Sequence, residues 1–422
     1  MKKEENGNIK QFKKSDAKKG DAQKNGAKKG AAKKDNLFAD FNKKRAGHQV
    51  SKMMWVFIIV LALFLIAAAG FVVARVFFIN KEYTGVTEVS STEFFISTGS
   101  KVERFGNNFI VYNSDGIKCV NYKGEQIWNE AFQMQKPLVD ISNGIVAVAD
   151  YNGGSIYLMD EKNVLGKIDT GMPIRKFKAA GSGYVMAVLD GDDNTPIYVY
   201  NTAGEEMIFF NTTMKGYGYP LEIDISDNGV LGAVSYLNVD KGSFYTSVGF
   251  YNFGEVGQNS QDSLMSSYIY HSALVPEIRF AGNSKAVAVA DNRLMFYSGD
   301  QKPQSSGEIL LSETILSVYE DDKYVALFTD SDVSDHKYKA EIYDYDAKLK
   351  DKMYFDIDFS DVFFDDNRIV LYNGEEVLIH MIGGKDKFVG SFENAILALI
   401  PTSSPKRFIQ VTPDEIKTIE FN

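Results

Sequence analysis

A single cysteine, Cys119, stands in 422 residues. No intramolecular disulfide can form, and no metal site can be built from several thiolates. Histidine is nearly as scarce, and the three after residue 82, His271, His336 and His380, lie far apart along the chain. Acid–base or metal chemistry from them requires loops to converge, whereas surface or strand positions are the plainer reading. No G-x-S-x-G, H-E-x-x-H or Walker-type phosphate loop occurs in this part of the sequence, so those hydrolase, metalloprotease and nucleotide-binding signatures are absent. The only tryptophan beyond residue 55 is Trp128. No helical period of useful length is found after residue 80.

Charge is unevenly placed. Residues 1–52 hold 16 Lys+Arg and 6 Asp+Glu, a net +10, while residues 82–422 hold 28 and 50, a net −22. A basic segment and an acidic body on one chain belong in different surroundings. Between them lies MMWVFIIVLALFLIAAAGFVVA, Met53 to Ala74, without a charge. As a helix it covers about 33 Å, enough for a hydrocarbon core of roughly 30 Å. The apolar run resumes after Arg75 and ends at Ile79, and an arginine there can snorkel to the interface. A cleaved signal peptide fits poorly, because the run is too long and the leader before it far too long. A buried core helix fits poorly as well, since the segment is apolar on every face. We expect residues 53–79 to cross a lipid bilayer once. Lys43, Lys44, Arg45 and Lys52 precede the span and Glu82 and Glu88 follow it, which keeps residues 1–52 in the cytoplasm and sends 80–422 outside. An exported body without disulfides suits a bacterial surface.

Residues 1–52 are of low complexity, with AKKG at 17–20 and 27–30 and AKKD at 32–35. Too few large apolar side chains are present to fold, so a disordered tail is expected. Its lysines either contact anionic inner-leaflet lipid or serve only as a topology signal. Nucleic acid is not expected, because almost no aromatic residue is interleaved to stack bases.

The body repeats. VNYKGEQIW at 120–128 reads as strand, tight turn, strand, and similar units recur near Tyr122, Met159, Tyr200, Tyr251, Tyr297, Tyr345, Met381 and Phe421. The intervals are 37, 41, 51, 46, 48, 36 and 40 residues. Each unit also holds an apolar run such as GIVAVAD or KAVAVAD, preceded by a looser one such as PLVDIS or PLEIDIS. Four short strands per unit is the pattern of a β-propeller, whose sheets bury both faces. An all-β propeller is expected, with eight blades preferred over seven. The last unit ends at the chain terminus and lacks an outer strand. The segment 86–98, VTEVSSTEFFIST, has no blade of its own and is expected to supply it.

DGIKCVNYKGEQIW, Asp115 to Trp128, resembles the repeat of quinoprotein-like propellers: a turn glycine, a strand, a second turn glycine, then a closing tryptophan. The whole layout resembles an uncharacterised Gram-positive family of single-pass membrane proteins with an external propeller, a resemblance that implies no activity. Quinoprotein dehydrogenases hold their quinone with adjacent cysteines, or with a stacked tryptophan and calcium; a lone Cys119 and a lone Trp128 do not meet that pattern. We therefore expect no cofactor. Two acidic loops, Asp190–Asn194 and Asp330–Asp335, carry oxygen ligands suited to calcium, but Asp and Asn are ordinary turn residues, and no metal site is assigned. Two functions remain. One is a binding or scaffold module for an envelope protein, peptide or glycan. The other is an envelope polysaccharide hydrolase or lyase using carboxylates in the central channel. No residue is singled out as catalytic.

Overall fold

The computed structural model describes residues 52–80, 82–210, 216–240 and 242–422. The expected basic tail lies outside them up to residue 51. The chain divides into two units, one up to Val73 and one from Ala74.

Lys52–Asn80 forms one α-helix of 29 residues, about 43 Å long at 1.5 Å per residue. Side chains are described from Trp55 to Phe71, and all are exposed. Counted over the described residues, no helix is long and apolar enough to cross a membrane.

In the second unit, eight four-stranded antiparallel sheets follow one another. Blades 1 to 7 span 101–131, 137–169, 174–210, 219–271, 277–310, 315–355 and 361–391. Blade 8 takes three strands from 398–421 and its outermost from Val86–Glu93. That strand pairs antiparallel with Glu415–Phe421, from Val86 against Phe421 to Glu93 against Glu415. Pairing continues at both ends: Phe94 N–H donates to Asp414 O (2.9 Å), and Asn422 N–H to Gly85 O (3.0 Å). The two ends of the ring are thus in one sheet.

The core lies between blades. Eight apolar clusters occupy the eight boundaries, including one that joins blade 8 to blade 1 through Ile400, Val411, Phe109 and Val111. Ile145–Asp150, IVAVAD, shows why the second strands read as unbroken apolar runs. Ile145, Ala147 and Ala149 pack toward blade 3, while Val146 and Val148 pack toward blade 1. With both faces dry, no polar alternation survives, and alanine relieves crowding between sheets.

The turn in VNYKGEQIW is built on Asn121. Its side-chain oxygen accepts the N–H of Lys123 (2.9 Å) and Glu125 (3.0 Å), and Gly124 takes φ +81°. Asn201 does the same for Ala203 and Glu205 in blade 3, with Gly204 at φ +79°. In blade 6 Asp344 replaces the asparagine, and Ala347 accepts the left-handed conformation at φ +59°. The hairpin is one copy of a repeated unit, and in blades 1, 3 and 6 an Asx side chain closes its turn.

Strand direction alternates, so Val86, Phe421 and the third-to-fourth turns share one face of the ring. The second-to-third turns, among them both acidic loops, lie on the opposite face. There blade 4 departs from the rest: Leu231–Asp240 and Ser243–Asn252 are ten-residue strands, which explains the longest repeat interval. Val239 and Phe244, paired near the end of this arm, are 64% and 44% exposed.

Candidate functional site

The innermost strands line the ring with charge. Asp140 in blade 2 accepts from Lys178 Nζ (2.9 Å) and from the Ala179 N–H (2.7 Å), both in blade 3. Lys176 reaches Glu222 in blade 4 at 3.0 Å. Asp224 in blade 4 accepts the Phe280 N–H of blade 5 at 2.5 Å. Arg279 then pairs with Glu320 of blade 6 at 3.3 Å and with its own neighbour Glu277 at 3.5 Å. The sign alternates through Asp140, Lys178, Asp224, Arg279 and Glu320 across five consecutive blades. Each aspartate satisfies a backbone N–H of the next blade, so the belt fixes the spacing of blades as well as neutralising buried charge.

Two of these carboxylates are held away from their ordinary range. Burial pushes Asp224 up to about 6, against the pull of Lys178 and Arg279. Burial likewise pushes Glu320 up to about 7, opposed by Arg279, although 21% of its side chain remains accessible. A carboxyl group that titrates near neutrality can give or take a proton at working pH. The sequence carried a signal for this belt: the triplet Asp-Ile-Ser occurs at 140–142 and again at 224–226. The strands holding it read as loose because one side chain in two faces the channel.

A second site lies on the outer edge between blades 6 and 7. It is a cavity of about 650 Å³ lined by Tyr83, His336, Lys352, Tyr354, His380 and Lys387, among others. Two of the three body histidines meet here, while His271 lies in the outer strand of blade 4, its ring 5.7 Å from that of Tyr245. His380 is buried, with Nδ1 2.6 Å from Asp386 Oδ1 and Nε2 2.8 Å from Asp351 Oδ2. Burial disfavours its charged form, but the two carboxylates outweigh that and raise its pKa. His336 has one carboxylate partner, Asp356 at 2.9 Å, and its ring stacks on Tyr354.

The other singled-out residues are structural in their contacts. Asp190 is bound to Arg175, and Gly191 N–H donates to Asn194 O, closing the loop 190–194. Asp332 pairs with Lys352 at 3.1 Å and Lys339 at 3.6 Å. Among the described residues no three His, Cys, Asp or Glu side chains converge as a metal site would require. Cys119 is buried, which pushes its thiol up to about 12. Trp128 closes its blade onto the next: its indole N–H donates to Asp160 O at 2.8 Å.

Solved structures similar to this chain are propeller-sized and distant in sequence. BamB from Moraxella catarrhalis is 10% identical, with 80% of this chain and 100% of that chain covered and a TM-score of 0.48. Sqt1 from Chaetomium thermophilum, solved bound to the N-terminus of ribosomal protein L10, is 9% identical, with 81% and 100% covered and a TM-score of 0.48. AztD from Citrobacter koseri is 11% identical, with 70% and 86% covered and a TM-score of 0.47. No curated protein matches the sequence. Residues 79–421, nearly the whole ring and its lead-in, match the family of unknown function DUF5711, and the chain belongs to that family.

Proposed function

We propose that this protein is a membrane-anchored binding or scaffold module whose propeller presents loops to a protein, peptide or glycan of the cell envelope. The observation that carries this reading is how the inner carboxylates are used. Asp140 and Asp224 each bridge to the backbone of the next blade, which makes the channel wall a brace and leaves recognition to loops. The exposed apolar arm of blade 4, with Val239 and Phe244, offers such a surface. Anchoring rests on the sequence: Met53 to Ile79 is apolar apart from Arg75, and the basic flank places residues 1–52 inside. Proteolysis of intact, wall-free cells then digests the ring and spares a fragment of roughly 80 residues; a protected ring overturns the orientation. Crosslinking in intact membranes followed by pull-down recovers a specific partner, lost when the blade 4 arm is shortened. Absence of any crosslinked product overturns the scaffold reading.

One observation favours the enzyme reading as second choice. Asp224, at about 6, and Glu320, at about 7, both face Arg279, which are values suited to an acid–base pair. Turnover of envelope polysaccharide that disappears in both Asp224→Asn and Glu320→Gln would establish it.

A further inference from the structure

Blade 4 carries a second addition, on the face opposite its long arm. The turn between its third and fourth strands runs over 253–263, eleven residues, where those of blades 1, 2, 3, 5, 6 and 7 take three to five. Two 3₁₀ turns, Gly257–Asn259 and Gln261–Ser263, lie within it. Between this loop and the outer strand of blade 3 is a cavity of about 250 Å³, lined by Val199, Met207, Ile208, Val230 and Phe253 among others.

The walls are held by the ring itself. The Phe253 N–H donates to Val230 O at 2.7 Å, and Asn252 Oδ1 accepts the Gly254 N–H at 2.9 Å. The Phe253 ring lies over Gly232, where a Cβ would come within 2.5 Å of it. Gly229, at φ +73°, lets the backbone approach the Tyr184 ring, which a Cβ there would meet at 3.0 Å. A wall fixed in this way needs no ordering when something enters. Asn228 and Gln258 are the polar members of the lining. Among the described residues the exposed Gln258 amide has no partner, which leaves it free for a peptide backbone.

Size and charge select the occupant. A volume of about 250 Å³ falls below the roughly 300–1,000 Å³ of small-molecule sites. It suits one large apolar side chain, the usual anchor of a docked segment. At the mouth, Met207 and Val256 are 49% and 44% exposed, and methionine adapts its shape to a partner. The surrounding segments 201–207, 226–230 and 253–263 contain Glu205, Glu206, Asp227, Glu255 and Asp262 and no lysine or arginine. Three of these carboxylates accept from neutral side chains, those of Asn201, Asn143 and Tyr217. None of the five is paired with a cation among the described residues. Such a rim attracts cations and repels anions.

We propose that this pocket docks a basic peptide segment of an envelope protein, one apolar side chain entering the cavity and flanking lysines or arginines meeting the rim. The proposal rests on the binding-module reading above and narrows its partner to a polypeptide.

The test uses the full chain in neutral detergent and three labelled octapeptides, KKGLFGKK, KKGSSGKK and EEGLFGEE, followed by fluorescence anisotropy. KKGLFGKK binds, and its binding weakens as salt rises. KKGSSGKK binds at least tenfold more weakly, and EEGLFGEE does not bind. Glu206→Gln, Glu255→Gln and Asp262→Asn, made together on exposed positions, weaken KKGLFGKK by roughly tenfold, in line with three exposed ion pairs. Asp346→Asn, in a blade 6 turn, changes nothing. Amide exchange over 226–230 and 253–263 slows when the peptide is bound. Absence of binding, equal binding of all three peptides, or binding unchanged in the triple variant overturns the proposal. Residues 37–45, LFADFNKKR, have the same chemistry as the first peptide. Pocket amides that are protected in the full chain and lose that protection once residues 1–51 are removed assign the site to the chain's own tail, which also overturns a partner. Failure of the peptides while a crosslinked partner is still recovered from membranes sinks the pocket and leaves the binding module standing.

Discussion

Asp351 of blade 6 and His380 of blade 7 meet at 2.8 Å across the blade boundary. The same Asp351 oxygen accepts the Gly383 N–H at 2.6 Å, and Asp386 holds the other imidazole nitrogen. With a carboxylate at each nitrogen, only the doubly protonated ring satisfies both. Because the folded pKa is raised, the stabilisation is full below the ordinary value of about 6.5 and is lost as pH rises through the folded value. His380→Gln should cost about 1–3 kcal/mol in mildly acidic solution and clearly less in alkaline solution. Denaturant unfolding of both proteins across this range checks it; equal cost throughout excludes the charged bridge.

Asp224 gives a second pH dependence. Its folded value, about 6, lies above the ordinary value of 3.8. The protonated form is favoured in the folded ring, so stability is greatest below about pH 4 for this group and falls as pH rises through 6. The shift corresponds to about 3 kcal/mol. Asp224→Asn, which can still accept from Phe280, should remove that decline and unfold no more easily than the native chain at neutral pH.

Trp128 can be divided into its parts. Trp128→Phe keeps an aromatic ring near Phe105, now 6.4 Å away, but leaves the Asp160 carbonyl without its donor. A loss of about 1 kcal/mol is expected. Trp128→Ala also empties the boundary between blades 1 and 2 and should cost about 3–5 kcal/mol. Equal losses would mean that the hydrogen bond, rather than the packing, carries the contact.

Removing either closing strand should destabilise the ring, and unequally. Deleting 414–422 takes away the buried Ile416, Ile419 and Phe421, at a cost of several kcal/mol. Deleting 86–93 removes a strand whose side chains are nearly all exposed, so the loss is mainly that of its ladder and should be smaller. Shortening 190–194 should do less than either. Thermal melts followed by circular dichroism rank the three.

Much of the ring was legible because its periodicity is carried by local chain. Runs such as IVAVAD are apolar throughout since each residue meets a neighbouring blade, and the turns announce themselves through Asn121, Asn201 and their glycines. The sites were not legible, because their members join across blade boundaries. His380 and Asp351 are 29 residues apart and Trp128 and Asp160 are 32 apart; no local pattern links them. The ion belt was half visible, in the repeated Asp-Ile-Ser, but its cations occupy no matching motif.

The strand Val86–Glu93 is made before the ring it completes, while its partner Glu415–Phe421 is made after the other seven blades. Thr84 and Asn422, in contact at the clasp, are separated by 338 positions. At about 5–20 residues per second, synthesis leaves the first strand waiting for roughly 15–70 s. An unpaired edge exposed for so long invites aggregation if it is apolar. The sequence VTEVSSTE is polar at most positions and stays solvated on its outer side even after closure. A waiting strand of this composition can remain in water without harm, and the apolar half of the clasp, Ile416, Ile419 and Phe421, is delivered only when there is a finished ring to receive it.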